Sequence, residues 1–249
     1  MEDLTRDAFL GGKLQIWQPR VGYRAATDPV FLAAACPVLP GQSVLDLGCG
    51  VGTAALCLAS RVNQLRLFGL ELQPIYATLA LRNAAENNID MQVECGDLTE
   101  MPKILQTEFD HVIANPPYYP RQGTPSPIGA RDTALRAETP LAVWVETAAR
   151  RLVPGGWLTL ICGTDGLPDV LAALGTKMGS AIVLPLAPRQ NRPARRIILR
   201  ARKTGRAAFR LLAPLIIHQG PAHDTDRDSY TIRVRAILRD GGDLSEEFQ

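Results

Sequence analysis

Ser43-Val-Leu-Asp-Leu-Gly-Cys-Gly-Val-Gly-Thr53 reads as a buried strand, a glycine-rich turn and the start of a helix that continues through Ser60. Glycines in such a turn let a ligand approach the backbone, and the first turn of the following helix offers unbonded N–H groups. A dinucleotide fingerprint has the spacing G-x-G-x-x-G. Here the spacing is Gly48-x-Gly50-x-Gly52, with Thr53 where the third dinucleotide glycine belongs. Asp46 stands on the strand, two residues before the turn. A carboxylate there would repel a pyrophosphate and suits the ammonium end of S-adenosylmethionine, so the turn favours that cofactor over NAD.

Downstream, Arg66–Leu72 is a second strand that carries Glu71 at its end. Glu71 falls 19 residues after Gly52, close to the ~20-residue spacing of the ribose-binding acid in doubly wound nucleotide sites. A carboxylate there can accept both ribose hydroxyl protons; a solvated strand-end acid is the plainer alternative. Pro74–Asn88 is an amphipathic helix, and Met91–Asp97 a third strand. Asp97 has two readings: a partner for an adenine amino group, or the cap of the next turn.

Asp110-His-Val-Ile-Ala-Asn-Pro-Pro-Tyr-Tyr119 is the other informative stretch. Its apolar run reads as a fourth buried strand. Two prolines cannot continue a central strand, since each lacks an N–H and fixes φ. Asn115 therefore sits at a rigid strand end. The Asn115 side-chain oxygen and the Pro116 carbonyl can accept both N–H bonds of an exocyclic amine, and Tyr118 can stack on the ring that bears it. By itself the motif is also a common proline turn.

The remaining chain alternates helices (138–152, 167–178) and strands (157–162, 181–186, 195–201) after an arginine-containing loop, 120–136, read as a substrate loop. Strands alternating with helices imply an α/β, doubly wound, mostly parallel sheet of seven strands, Rossmann-like, with a short N-terminal arm. Lys13–Gln18 alternates as a strand of that arm, and Thr27-Asp28-Pro29 opens a helix, with Asp28 as its cap. The expected division is an arm and helix over 1–40, a cofactor domain over 41–204 and a packed tail over 205–249. Arg189–Lys203 holds seven cations and no acid. It reads either as a ridge for a phosphate backbone or as an edge strand protected by charge.

A formal net charge of +2 over 249 residues neither demands nor excludes a nucleic-acid partner. No apolar run reaches membrane-spanning length, and the first seven residues do not resemble a secretory leader. Five scattered cysteines form no CxxC pair and read as small buried hydrophobes in a reducing compartment. The three histidines have no metal-binding spacing, and the role of His218 is open.

Asp46-Leu-Gly-Cys-Gly-Val-Gly52, Glu71, Asp97 and Asn115-Pro-Pro-Tyr118, in that order, resemble class I S-adenosylmethionine-dependent methyltransferases that methylate amino nitrogens. Gly22-Tyr-Arg24, Thr27-Asp28, Tyr118-Tyr119, Ala194-Arg-Arg196 and Tyr230-Thr231 narrow the resemblance to the bacterial family that methylates adenine N6 just 3′ of the anticodon of valine tRNA. The resemblance covers nearly the whole chain. It implies an enzyme with Asn115, Pro116 and Tyr118 at the reacting amine. It implies Asp46, Gly48, Gly50, Glu71, Asp97 and Asn115 around the cofactor, with Arg24 and Asp28 closing the arm over it. It implies Tyr118, Tyr119, Arg195 and Arg196 at the substrate. The partner implied is RNA, most simply tRNA, for a cytoplasmic monomer or weak homodimer with no membrane or metal. The same four-residue motif also resembles glutamine N5-methyltransferases of release factors, but those carry a long helical domain before the first strand. Ribosomal RNA methyltransferases and an inactive RNA-binding module are further alternatives.

Overall fold

A computed structural model describes residues 3–22, 24–117, 139–220 and 229–249. The chain opens with a hairpin, β1 (Leu4–Phe9) against β2 (Leu14–Pro19), followed by helix α1 (Asp28–Ala35). Then strands and helices alternate: β3 (Ser43–Leu47), α2 (Thr53–Arg61), β4 (Arg66–Glu71), α3 (Pro74–Glu86), β5 (Met91–Cys95) and β6 (Phe109–Ala114). Helix α4 (Leu141–Arg151), β7 (Leu152–Gly163), α5 (Leu167–Leu174), β8 (Met178–Ala187) and β9 (Arg196–Lys203) complete the core.

The sheet order is β5-β4-β3-β6-β7-β9-β8, parallel except for β9, which runs antiparallel to both its neighbours. These are the seven strands expected. Two further strands of two residues, β10 (Arg210–Leu211) and β11 (Leu215–Ile216), add to the β8 edge, so the sheet has nine strands among the described residues. The central strands read as continuous apolar runs because helices cover both faces: all five residues of β3 are buried, and β6 is buried at all but Asp110.

Connections run from β3 outward through β4 to β5, then return across the sheet to β6. This places the topological switch point between β3 and β6, where ligands of doubly wound sheets bind at the carboxyl ends of the strands. Register aligns the site. Leu47 pairs with both Leu70 and Ala114. The next residue on each strand is therefore Gly48, Glu71 and Asn115, side by side along one edge.

One core cluster unites the N-terminal and C-terminal segments. Leu10, Leu14 and Ile16 of the arm, most of α1, and Val234, Ile237, Leu244 and Phe248 of the tail are buried together. The first strand of the hairpin was not apparent in the sequence, since Thr5, Arg6 and Asp7 dilute its alternation. Cys95 is exposed rather than buried; the other four cysteines are buried thiols.

Candidate active site

Burial dominates the chemistry of Asp46, which is 2% exposed with no hydrogen-bond partner for Oδ2. Burial pushes its pKa up to about 8; the Ala55 N–H opposes this and the nearby Glu71 carboxylate adds to it. A carboxyl held this way is stabilised by any cation that reaches it. Glu71 is also buried. Its Oε2 accepts the Gly50 N–H at 2.9 Å and its Oε1 the Gln73 N–H at 3.0 Å. A carboxylate oxygen can accept more than one hydrogen bond.

Gly48 shows why the turn needs glycine. Its φ is +66°, and a Cβ there would meet the Trp144 ring at 2.6 Å. Trp144, on α4, thus packs directly against the turn. The sequence offered no sign of this role, because Trp144 lies 96 positions from Gly48. Gly50 and Gly52 also have positive φ.

Asp97 follows β5. Its Oδ1 accepts the backbone N–H of Thr99 at 2.6 Å and the Thr99 hydroxyl at 2.5 Å, and the hydroxyl bond chiefly holds the carboxyl below its usual range. The turn-capping reading is therefore realised, at the edge where β4 and β5 end. Asn115 and Pro116 follow β6 at the switch point. Tyr118, Tyr119, Tyr23 and the arginine-containing loop 120–136 lie outside the described residues.

The arm residues Arg24 and Asp28 both make contacts within the protein. Arg24 donates to the Thr5 hydroxyl at 2.7 Å, to the Pro19 carbonyl at 2.9 Å and to Asp7 at 2.6 Å, which fastens the hairpin to the chain leading into α1. Asp28 is the first helical residue and makes no cap bond; its carboxylate takes the Arg196 guanidinium. That pair ties α1 to the start of β9.

The basic run is mostly structural. Arg189 donates to the carbonyls of Gln219 and Gly220, and Arg200 to that of Ala35 while lying 3.6 Å above the Phe248 ring. Arg202 donates to Gly155 and Lys203 to Leu152. Five of the seven cations thus have separate partners, and Arg192 and Arg195 are exposed. His218 stacks on Tyr230 with centroids 4.9 Å apart, and its Nδ1 lies 3.0 Å from the Ser229 hydroxyl. Among the described residues no group of acids, histidines and cysteines could hold a metal, and no helix is long and apolar enough to cross a membrane.

The residues present fit S-adenosylmethionine. The orphaned Asp46 oxygen matches its ammonium, the positive-φ turn matches a ligand pressed against backbone, and Glu71 matches its ribose. Fold and site together define an S-adenosylmethionine-dependent methyltransferase. The chain belongs to the methyltransferase small-domain family, whose model matches residues 28–173. A tRNA1(Val) (adenine(37)-N6)-methyltransferase of Porphyromonas gingivalis is 33% identical over 177 residues, covering 67% of this chain and 69% of that protein. The protein of the same description from Haemophilus influenzae is 30% identical over 157 residues, 61% and 67% of the two chains. A predicted O-methyltransferase from Agrobacterium tumefaciens superposes with a TM-score of 0.70 at 27% identity, over 87% of this chain and 98% of that one.

Proposed function

We propose that this chain transfers the methyl group of S-adenosylmethionine to N6 of an adenine in tRNA. The observation that carries the proposal is the pairing of Leu47 with Ala114, which sets Asn115 beside the glycine turn. The names of the relatives support adenine N6 as the acceptor.

When bound, S-adenosylmethionine supplies an electrophilic sulfonium methyl. The protein's part is orientation and electrostatics rather than base catalysis. The Asn115 oxygen and the Pro116 carbonyl accept hydrogen bonds from the two amine N–H groups, which draws the nitrogen out of ring conjugation and aims its lone pair. Bound there, the sulfonium would supply the methyl and retain the bonding electron pair, and the chain's own part would be to hold the amine in line, with the amine proton left to solvent. Tyr118 stacks on the extruded base, offsetting an unstacking cost of a few kcal/mol. Asp46 takes the ammonium, the Gly48 and Gly50 backbone lines the cofactor, Glu71 takes the ribose hydroxyls and Asp97 the adenine. Arg24 and Asp28 hold the arm over the cofactor, and Tyr119, Arg195 and Arg196 face the RNA. In this reading residues 41–204 form the cofactor domain, 1–40 an arm, and 205–249 a tail, in a cytoplasmic monomer or weak homodimer.

Methyl transfer from labelled cofactor to total tRNA, ribosomal RNA and release factor, run in parallel and followed by digestion, tests the proposal. N6-methyladenosine in tRNA is expected. Label in release factor would move the acceptor to protein glutamine, and label in none would overturn the reading.

A further inference from the structure

Asn83 of α3 and Asn87, the residue that caps the end of α3, act as an artificial strand for the arm. Asn87 accepts the Gln15 N–H at 3.0 Å and donates to the Gln15 carbonyl at 2.8 Å. Asn83 accepts the Trp17 N–H at 2.8 Å and donates to the Trp17 carbonyl at 3.1 Å. Four residues of helix rise about 6 Å, and two residues of strand about 6.6 Å. Side-chain amides at i and i+4 can therefore pair with every second residue of β2, whose other edge is taken by β1. The Trp17 ring adds to this dock. It lies 4.2 Å from the Arg82 guanidinium and donates Nε1–H to Glu86 at 2.7 Å.

Asn83 does one thing that Asn87 does not. Its amide also donates to the Val51 carbonyl at 2.9 Å. Val51 stands between Gly50 and Gly52, so this bond grips the middle of the glycine turn. Asn83 is fully buried. An asparagine amide has two N–H donors, and both are used here: one on the arm, one on the turn. Removing the bond to Val51 takes this partner from a buried carbonyl.

We propose that Asn83 is a positioning residue for the cofactor, and that it couples docking of the N-terminal arm to cofactor binding. The inference rests on the reading of the glycine turn as the cofactor site. Ordering the turn fixes the Asn83 amide, and a fixed amide holds Trp17 better. By reciprocity, an arm docked on Asn83 favours the turn conformation that binds cofactor.

Hydrogen exchange with and without S-adenosylhomocysteine tests the coupling, because the Trp17 N–H is itself bonded to Asn83. The analogue is expected to slow exchange at Trp17 in the unaltered protein. Asn83→Ala should weaken cofactor binding roughly tenfold, and Trp17 should no longer respond to the analogue. Asn83→Asp keeps an acceptor for Trp17 but loses both donors, so it should bind no better than Asn83→Ala. Asn87→Ala frees Gln15 without touching Val51, and should weaken cofactor binding clearly less than Asn83→Ala does. Affinities are measured well below each variant's melting temperature.

Unaltered affinity in Asn83→Ala, or an equal loss in Asn87→Ala, overturns the positioning role. No response at Trp17 in the unaltered protein overturns the coupling, whether or not any variant folds. Glu71→Ala is the control for the reading beneath. Unchanged affinity there would remove the turn as the cofactor site, whereas loss there with none in Asn83→Ala refutes this inference alone.

Discussion

The carboxylate of Glu71 accepts the backbone N–H of Gly50, 21 residues earlier, at 2.9 Å. An acid at the end of β4 thereby holds the turn that leaves β3, and its other oxygen holds Gln73. Glu71→Gln keeps one acceptor and turns an NH2 group toward a backbone N–H. Cofactor affinity should fall about tenfold or more, as calorimetry would read it. An unchanged dissociation constant would take Glu71 out of the site.

Asp46 should make cofactor binding depend on pH. Its folded pKa without cofactor is raised from 3.8 to about 8. Below about 8 the ammonium must displace a proton, so apparent affinity should fall toward the acid side, approaching about tenfold per pH unit. In the cofactor-free chain the raised pKa means that the folded state holds the proton more tightly. That stabilisation is complete below the unfolded value and is lost as pH rises through about 8. Asp46→Asn should flatten both profiles; titrations that keep their slope in the variant would refute the assignment.

Gly48→Ala combines left-handed strain with a clash against Trp144. The strain alone costs roughly 1–2 kcal/mol. The melting temperature should drop by several degrees and cofactor affinity with it. Trp144→Leu in the same chain makes room for the methyl and should recover part of the stability. No recovery would mean that the ring contact is unimportant.

Arg195 and Arg196 should separate RNA contact from stability. Arg195 is exposed, so Arg195→Ala should leave the melting temperature unchanged, weaken RNA of any sequence alike and lower the salt dependence of binding by about one ion. Arg196 pairs with Asp28, but its side chain is 42% exposed. Its loss should cost less than about 1 kcal/mol and weaken RNA binding as well. RNA affinity untouched in both variants would place the substrate elsewhere.

Legibility followed how local the signal is. The β3 turn was readable because strand, glycines and helix start lie within eleven residues. The end of β6 was readable because two prolines impose their own stop. The basic run stayed open in the sequence because the destinations of its side chains are not local: Arg200 reaches Ala35 and Phe248, and Arg189 reaches Gln219. Asp97 left two readings open, a turn cap and an adenine partner, and its Thr99 bonds form the cap through one carboxylate oxygen.

By itself the sequence determined the alternating α/β order, the glycine turn, the acid at the end of β4 and the proline-stopped strand, since each follows from short-range backbone preference and hydrophobic period. Only the tertiary structure decided that Gly48, Glu71 and Asn115 share one row, because sheet register joins strands dozens of residues apart. It alone decided that Trp144 shapes the turn and that Asn83 bridges Trp17 to Val51. Those contacts depend on packing between elements, where a buried amide must find partners wherever the fold brings them.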